Sequence, residues 1–116
     1  MAMTLKEVAD ILDAKVLCGE DHLDYEIDFA FSSDLMSDVL TTQTDRMLLI
    51  TGLANVQAIR TAEMSDIHCI VFVRNKEVTQ PMIDLARENS MVLLQCKNSM
   101  FKASGLLYEK GLKPIF

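Results

Sequence analysis

The sequence predicts a single α/β domain in which helices cover both faces of a mainly parallel β-sheet. From residue 47 onwards strands and helices alternate, and each of these strands is a continuous apolar run. Continuous apolar strands are typical of a parallel sheet that is buried between two helix layers. The chain has 116 residues, enough for one domain, so we assign residues 1–116 to one three-layer α/β/α unit.

Three strand–helix pairs make up the regular part of the chain. Strands are predicted over 47–51, 69–73 and 91–96, and helices over 55–64, 79–88 and 99–110. Pro81 falls in the first turn of the second helix, where a missing N–H is tolerated. Gly111 is expected to end the third helix, with Pro114 just beyond. Each crossover between parallel strands should be right-handed.

The N-terminal third has its own start and stop signals. Thr4 and Glu7 form a predicted capping box for an amphipathic helix that ends near residue 13. A short strand follows over 15–18, and a second strand is predicted over 26–31. After the second strand, the serines at 32–33 can cap a short helix.

The net charge of −6 is spread unevenly along the chain. Residues 1–45 contain eleven acids and two bases, whereas residues 46–116 contain six acids and nine bases. An acidic protein repels nucleic acid and anionic membranes, so we expect neither as a partner. The basic C-terminal part could hold a small anion or an acidic partner, although a solubilising surface also explains the charge.

Targeting signals are not visible in the sequence. No apolar run approaches the roughly 18 residues of a membrane span. Lys6, Glu7 and Asp10 near the N-terminus do not fit the basic-then-apolar start of a signal peptide. We therefore expect a cytoplasmic protein.

The three cysteines, Cys18, Cys69 and Cys96, are predicted to be reduced thiols. Their number is odd, and each lies in or at the end of an apolar segment, where a thiol packs as a small hydrophobe. The chain has no Cys-x-x-Cys pair, and His22 and His68 do not complete a zinc-ligand spacing. We predict neither a metal site nor a cofactor.

The turn after the predicted strand 47–51 is the first candidate binding site. Thr51, Gly52 and Asn55 place backbone amides at a helix start and at the carboxyl end of a strand, where open α/β sheets bind ligands. A single glycine does not make a dinucleotide fingerprint, and no Gly-Lys-Ser/Thr phosphate loop follows. A helix start capped by Asn55 explains the same residues without a ligand.

Arg74 and Lys76 follow the next strand and should lie at the same edge of the sheet. Together with Thr51, Gly52 and Asn55 they predict a small anion pocket. The alternative is that they belong to an ordinary polar loop.

Catalytic groups are not recognisable in this sequence. There is no Gly-x-Ser-x-Gly motif, and neither histidine has an evident serine partner. Cys18 is close to Glu20 and Asp21, the opposite of the electropositive setting that activates a thiol. We therefore predict that the chain is not an enzyme and assign no catalytic residue.

The segments 31–40, 49–52 and 105–114 resemble the DRTGG domain family in their order and spacing. The resemblance covers nearly the whole chain and implies a fold related to the N-terminal domain of HPr kinase/phosphorylase. Such domains occur beside CBS domains in regulated pyrophosphatases, within some phosphate acetyltransferases, and alone. The family implies a compact, often dimeric α/β/α domain that regulates or binds without an active site of its own.

The chain departs from the family pattern in the two turns of the candidate pocket. After Thr51 the family pattern has Gly-Asp-Arg, whereas residues 53–55 here are Leu-Ala-Asn. After Val73 it has Thr-Gly-Gly, whereas residues 74–76 here are Arg-Asn-Lys. If those motif residues shape a nucleotide pocket in the family, its chemistry has changed in this chain.

Our leading expectation is therefore a non-catalytic regulatory or protein-interaction domain that forms a homodimer. A small-ligand sensor for a nucleotide or another anion is the first alternative. The second is an accessory factor for a redox or iron-hydrogenase system, implied by where stand-alone relatives occur; it would require metal bound through the cysteines. Four methionines near apolar helix faces suit either the core or a dimer interface: Met36, Met64, Met82 and Met100.

Overall fold

The computed structural model describes residues 2–42 and 44–116. Within them, the strands are β1 (Met3–Thr4), β2 (Lys15–Cys18), β3 (Glu26–Ile27), β4 (Phe29–Ser32), β5 (Met47–Thr51), β6 (Cys69–Phe72), β7 (Val92–Gln95) and β8 (Lys113–Pro114). The α-helices are α1 (Leu5–Leu12), α2 (Met36–Val39), α3 (Val56–Met64), α4 (Gln80–Glu88) and α5 (Met100–Glu109), with a 3-10 turn at Glu20–His22.

The main sheet has six strands in the order β2-β7-β6-β5-β4-β8. Every neighbouring pair from β7 to β8 is parallel, and only the edge strand β2 is antiparallel, to β7. Strands β1 and β3 form a separate antiparallel pair. The predicted mainly parallel sheet is confirmed.

Helices lie on both faces of this sheet, which confirms the predicted α/β class. Helices α1 and α5 pack on one face, and α2, α3 and α4 pack on the other. Within β5, Leu48 and Ile50 face the first group of helices, whereas Met47 and Leu49 face the second. Because both faces of β5 are buried, all five of its residues must tolerate burial, which explains the apolar run from Met47 to Ile50.

Local start and stop signals mostly act as the sequence predicts. The capping box between Thr4 and Glu7 is present in both directions. The side chains of Asn55 and Ser99 cap α3 and α5. Gly111 follows α5 with φ of 106°, a conformation that favours glycine.

Two parts of the predicted secondary structure were wrong in detail. The single strand predicted over 26–31 is two strands, because β3 pairs with β1 whereas β4 pairs with β5. Between them, the N–H of Asp28 donates to the Arg46 carbonyl, 2.9 Å away, and Arg46 Nε lies 2.9 Å from Asp28 Oδ2. The helix after the serines begins only at Met36, and no side chain caps it.

Candidate functional site

The turns that follow the parallel strands meet at the carboxyl edge of the sheet. The Val73 N–H donates to the Thr51 carbonyl over 3.0 Å, joining the turns after β5 and β6. The Arg74 N–H donates to the Asn98 carbonyl over 2.8 Å, joining the turn after β6 to the start of α5. These bonds bring the predicted site residues after β5 and after β6 to one edge.

The side chain of Asp34 binds the Gly52 backbone N–H, the amide expected to bind an anion. Its Oδ1 accepts hydrogen bonds from the Gly52 backbone N–H at 2.7 Å and from Thr51 Oγ1 at 3.0 Å. Thr51 Oγ1 in turn accepts from the Leu53 N–H at 3.1 Å. A Cβ added at Gly52 would lie 3.5 Å from both carboxylate oxygens of Asp34, so the two residues are in close contact.

The sequence analysis did not identify Asp34 as a residue of this site. The signal that would have found it is its position directly after β4, at the same edge as Thr51 and Gly52. A carboxylate at an amide of this kind supplies the negative charge that a phosphate would otherwise supply.

Asn55 acts as a helix cap in this structure. Its Oδ1 accepts from the Ala58 N–H at 2.9 Å, the bond expected of an N-cap residue. Its backbone lies in the extended region, with φ of −146°. Its side-chain oxygen is therefore engaged within α3.

Arg74 and Asn75 adopt left-handed backbone conformations, with φ of 61° and 53°. The Asn75 N–H donates to the Cys96 carbonyl over 2.8 Å, and the Gln95 side-chain amide donates to the Lys76 carbonyl. The backbone of this turn is therefore held by the turn after β7. The Arg74 side chain is exposed, and Lys76 is partly buried at the same edge.

The three cysteines are buried free thiols, and of these only Cys96, directly after β7, lies at this edge. Burial raises the pKa of each thiol, most strongly that of Cys69, so the thiols stay protonated near neutral pH. Within residues 2–42 and 44–116, no three His, Cys, Asp or Glu side chains converge as a metal site would require.

A second candidate site, which the sequence analysis missed, is an apolar groove between α5 and the C-terminal residues 113–116. We call it the α5 groove. Its volume is about 460 Å³, and Phe101, Gly105 and Tyr108 form its helical wall. Ser32 Oγ and Ser104 Oγ lie 2.7 Å apart in its lining. The i, i+4, i+7 spacing of the helical wall was the available signal.

The aromatic side chains at the rim of the α5 groove are unusually exposed to solvent. Phe101 is 88% exposed and Tyr108 is 68% exposed. Phe116 also lines the groove, and its ring packs edge-on against Phe31 with centroids 6.0 Å apart. The apolar side chains of Leu40 and Met64 are exposed elsewhere on the surface, whereas Met36 and Met82 belong to the core.

Comparisons with known proteins identify the family. No protein with a curated description matches the chain. One similar solved structure contains the CBS and DRTGG domains of the regulatory region of Clostridium perfringens pyrophosphatase, complexed with the activator diadenosine tetraphosphate. Its TM-score is 0.75 at 14% identity, and the match covers 90% of this chain but 45% of that one, so the likeness shows a shared fold.

Two further findings complete the comparison. No helix among the residues that the structure describes is long and apolar enough to cross a membrane. The family model of the DRTGG domain matches residues 7–109, which is most of the chain. The chain therefore belongs to the DRTGG domain family, as its sequence resemblance implied.

Proposed function

We propose that the chain is a non-catalytic regulatory domain that works by binding another protein. The observation that carries this proposal is the α5 groove, whose aromatic rim residues Phe101 and Tyr108 stand largely in solvent. Exposed aromatic side chains around an apolar depression are typical of interaction surfaces. The family membership and the regulatory origin of the similar structure support the same proposal.

A direct assay tests the non-catalytic part of this proposal. The purified chain is incubated with ATP, pyrophosphate and acetyl phosphate, and product formation is followed by phosphate release. We expect no turnover above a heat-denatured control. Turnover by the folded protein that is lost in Asp34→Ala would contradict the proposal and place chemistry at the carboxyl edge.

A homodimer is part of the proposal. The exposed apolar side chains of Leu40 and Met64 support it, since a second copy would remove them from water. Sedimentation equilibrium tests it, because a dimer has twice the 13.0 kDa mass of the chain. A monomer at all concentrations would contradict this part of the proposal alone.

A second candidate function is a sensor for a nucleotide or another anion in the cytoplasm. The exposed Arg74 supports it because this cationic residue follows β6 at the edge where α/β sheets bind ligands. The proposed site comprises Thr51, Gly52, Asn55, Arg74 and Lys76. The nucleotide in the similar structure adds support for the ligand class. An anion at Gly52 must compete with Asp34, so its affinity depends on that carboxylate moving away.

A thermal-shift screen tests the sensor. The probes are ATP, AMP, diadenosine tetraphosphate and inorganic phosphate. A ligand at a hundredfold excess over its Kd stabilises the folded state by about 2.7 kcal/mol, which shifts Tm by several degrees in a domain of this size. We expect Arg74→Ala to abolish the shift. Lys110→Ala is the matched control. Lys110 lies at the C-terminal end of α5, whereas Arg74 contacts Asn98 just before its N-terminal end.

A shift that survives in Arg74→Ala would contradict this site assignment.

The remaining alternative, an accessory factor for a redox system, requires metal bound through Cys18, Cys69 or Cys96. Elemental analysis of the purified protein tests it separately.

A further inference from the structure

We infer that the α5 groove binds a small, uncharged aromatic molecule that carries one hydrogen-bonding group. This ligand site goes beyond the proposed function and does not depend on it, although a bound ligand would cover the same surface and so compete with a protein partner. Three features of the groove lead to this ligand: its aromatic lining, its charge balance and its pair of hydroxyl groups.

The size and lining of the groove fit a small organic ligand. Its volume of about 460 Å³ falls within the range of roughly 300–1,000 Å³ that is typical of small-molecule sites. Such sites are lined mainly by apolar and aromatic side chains, with a few polar groups that fix the orientation of the ligand. The buried side chains of Ile50 and Leu107 belong to the lining, so the floor of the groove is apolar.

The aromatic residues of the chain are concentrated in this groove. The chain has five phenylalanines and two tyrosines, and four of these seven residues line the groove: Phe31, Phe101, Tyr108 and Phe116. Two of the rings already pack edge to face, since the centroids of Phe31 and Phe116 are 6.0 Å apart at an interplanar angle of 67°. Aromatic rings attract one another in this arrangement beyond the effect of buried area. An aromatic ligand is therefore favoured over a saturated one of the same size.

The exposed rim of the groove can close over such a ligand. Phe101 is 88% exposed and Tyr108 is 68% exposed, so neither ring is held in place by close packing. Exposed side chains change rotamer within picoseconds to nanoseconds, so both rings can turn towards a bound molecule. The apolar surface that the rings then lose to the ligand would stabilise the complex.

The charge balance of the groove favours an uncharged ligand. Among the described residues that line it, only Lys113 is charged. Two acids adjoin this lining: the Asp28 carbonyl accepts from the Lys113 N–H over 3.2 Å, and Glu109 follows Tyr108 in α5. A polyphosphate binds where several cationic side chains or backbone N–H groups converge, and one lysine beside two acids does not supply such a set. Lys113 in turn disfavours a cation.

The hydroxyl pair of the groove supplies the polar contact. Ser32 Oγ and Ser104 Oγ lie 2.7 Å apart in the lining. One O–H of such a pair donates to the other oxygen, so the second O–H is left to donate to another acceptor. The remaining lone pairs of the two oxygens can accept, so a ligand hydroxyl can bind here in either role.

The test uses 2-naphthol, an uncharged two-ring aromatic compound with one hydroxyl group. The chain contains no tryptophan, so naphthol fluorescence can be followed with little interference from the protein. Three matched compounds each change one property: decahydro-2-naphthol is saturated, 2-naphthoate is negatively charged, and naphthalene lacks the hydroxyl group. Their affinities for the full chain are measured by competition with 2-naphthol.

Gly105 is the position at which the groove can be blocked. A Cβ built there meets no atom within 4 Å, so a larger side chain can enter the groove without displacing the core of the domain. Gly105→Leu fills the groove, whereas Gly105→Ala adds a single methyl group and is the matched control. Met64→Ser removes an exposed apolar side chain outside the lining and controls for non-specific adsorption.

We expect 2-naphthol to bind the wild type, Gly105→Ala and Met64→Ser with similar affinity. Gly105→Leu should weaken its binding at least about tenfold, as when a central contact is lost. The wild type should prefer 2-naphthol to the saturated and the charged compound by at least about threefold, the effect of one aromatic pair. Urea denaturation of each variant confirms that it is folded.

Two further readouts locate the ligand. The double variant Ser32→Ala/Ser104→Ala should lose the preference for 2-naphthol over naphthalene. In proton–nitrogen NMR spectra the Gly105 amide should shift on binding. The Gly19 amide should not shift, because Gly19 contacts Val92 of β7 and lies at the other side of the sheet from β4 and β8.

Several results would overturn the inference. They are no saturable binding of 2-naphthol, equal affinity for decahydro-2-naphthol or 2-naphthoate, unchanged affinity in folded Gly105→Leu, or an equal loss in Met64→Ser. Conversion of a wild-type dimer to a monomer by Gly105→Leu would also overturn it, because the groove would then join two copies of this chain. Enzymatic turnover, which would contradict the proposed function itself, is a separate readout from all of these.

Discussion

The carboxylate of Asp34 lies 2.7 Å from the backbone nitrogen of Gly52, although the two residues are 18 positions apart in the chain. The same oxygen accepts from the Thr51 hydroxyl, whose residue is fully buried. Amides at the carboxyl end of a parallel strand are common sites for phosphate groups. In this protein the Asp34 side chain supplies the negative charge, so the Gly52 N–H has a hydrogen-bond acceptor without a ligand.

Removal of this carboxylate should destabilise the fold. Asp34→Ala deletes two hydrogen bonds to a charged acceptor and leaves the buried Thr51 hydroxyl without this partner. We expect a loss of about 1–2 kcal/mol in the free energy of unfolding, at the lower end of the range for charged bonds because Asp34 is exposed. Urea denaturation measures it. Glu63→Ala, an exposed acid on α3, should change stability by less than about 0.5 kcal/mol, and an equal loss there would contradict the explanation.

The same carboxylate should also limit anion binding at this edge. Asp34→Asn keeps the shape of the side chain and removes its charge, so an anion near Gly52 and Arg74 would no longer be repelled. If the domain is an anion sensor, we expect Asp34→Asn to bind ATP about tenfold more tightly than the wild type, a change of about 1.4 kcal/mol. Isothermal titration calorimetry measures this. Unchanged or weaker binding would place any nucleotide site elsewhere.

Stability should fall at alkaline pH because of the buried thiols. Burial raises the pKa of Cys69, and the nearby Cys18 raises it further. An unfolded thiol loses its proton above about pH 8.5, whereas the folded protein keeps it. The contribution of the buried thiol to the free energy of unfolding is therefore fully present below that pH and decreases above it. For Cys69 alone the loss reaches about 2 kcal/mol at pH 10. Urea denaturation from pH 7 to 10 should show a flatter dependence in Cys69→Ala, and parallel curves would refute the assignment.

Two glycines near the end of the chain should respond in opposite ways to alanine. Gly105 lies inside α5, where a Cβ meets no atom, so Gly105→Ala should stabilise the protein by roughly 0.5–1 kcal/mol. Gly111 has a φ of 106°, which alanine adopts only with strain, so Gly111→Ala should cost about 1 kcal/mol or more. Thermal denaturation of both variants checks the contrast. The same sign for both would mean that helix propensity and backbone strain do not govern these positions.

The left-handed conformation of Arg74 makes a further substitution informative. A non-glycine residue at positive φ costs roughly 1–2 kcal/mol, and Arg74 and Asn75 both adopt it in succession. Arg74→Gly removes this cost but increases the freedom of the unfolded chain, so we expect a net stabilisation of roughly 0.5 kcal/mol. Arg74→Ala, the matched control, keeps the strain and should not gain stability. A clear loss in Arg74→Gly would show that the guanidinium itself stabilises the fold.

The pattern that the resemblance implies and the observed backbone coincide at one position of this turn, Asn75. Thr-Gly-Gly places its glycines at 75 and 76, whereas positive φ values occur at Arg74 and Asn75. At Asn75 the backbone therefore has the conformation that glycine favours, even though the residue differs. In contrast, the departure after Thr51 coincides with a turn filled by Asp34.

The local sequence by itself determined the helix and strand succession. Its signals act over a few residues: the capping box of Thr4 and Glu7, the cap at Asn55, the stop at Gly111, and the apolar runs of the parallel strands. Each can be recognised without knowing where the rest of the chain lies. They also indicated the α/β class and the carboxyl edge as the place to search for a ligand.

Only the tertiary structure decided which groups meet. Asp34 reaches Gly52 because β4 and β5 are adjacent and parallel, and no local pattern specifies that adjacency. Likewise, β8 joins the sheet beside β4 and so creates the second wall of the α5 groove opposite Phe101 and Tyr108. Sheet order depends on contacts between residues far apart in the chain, and those contacts form only when both faces of the sheet are packed at once.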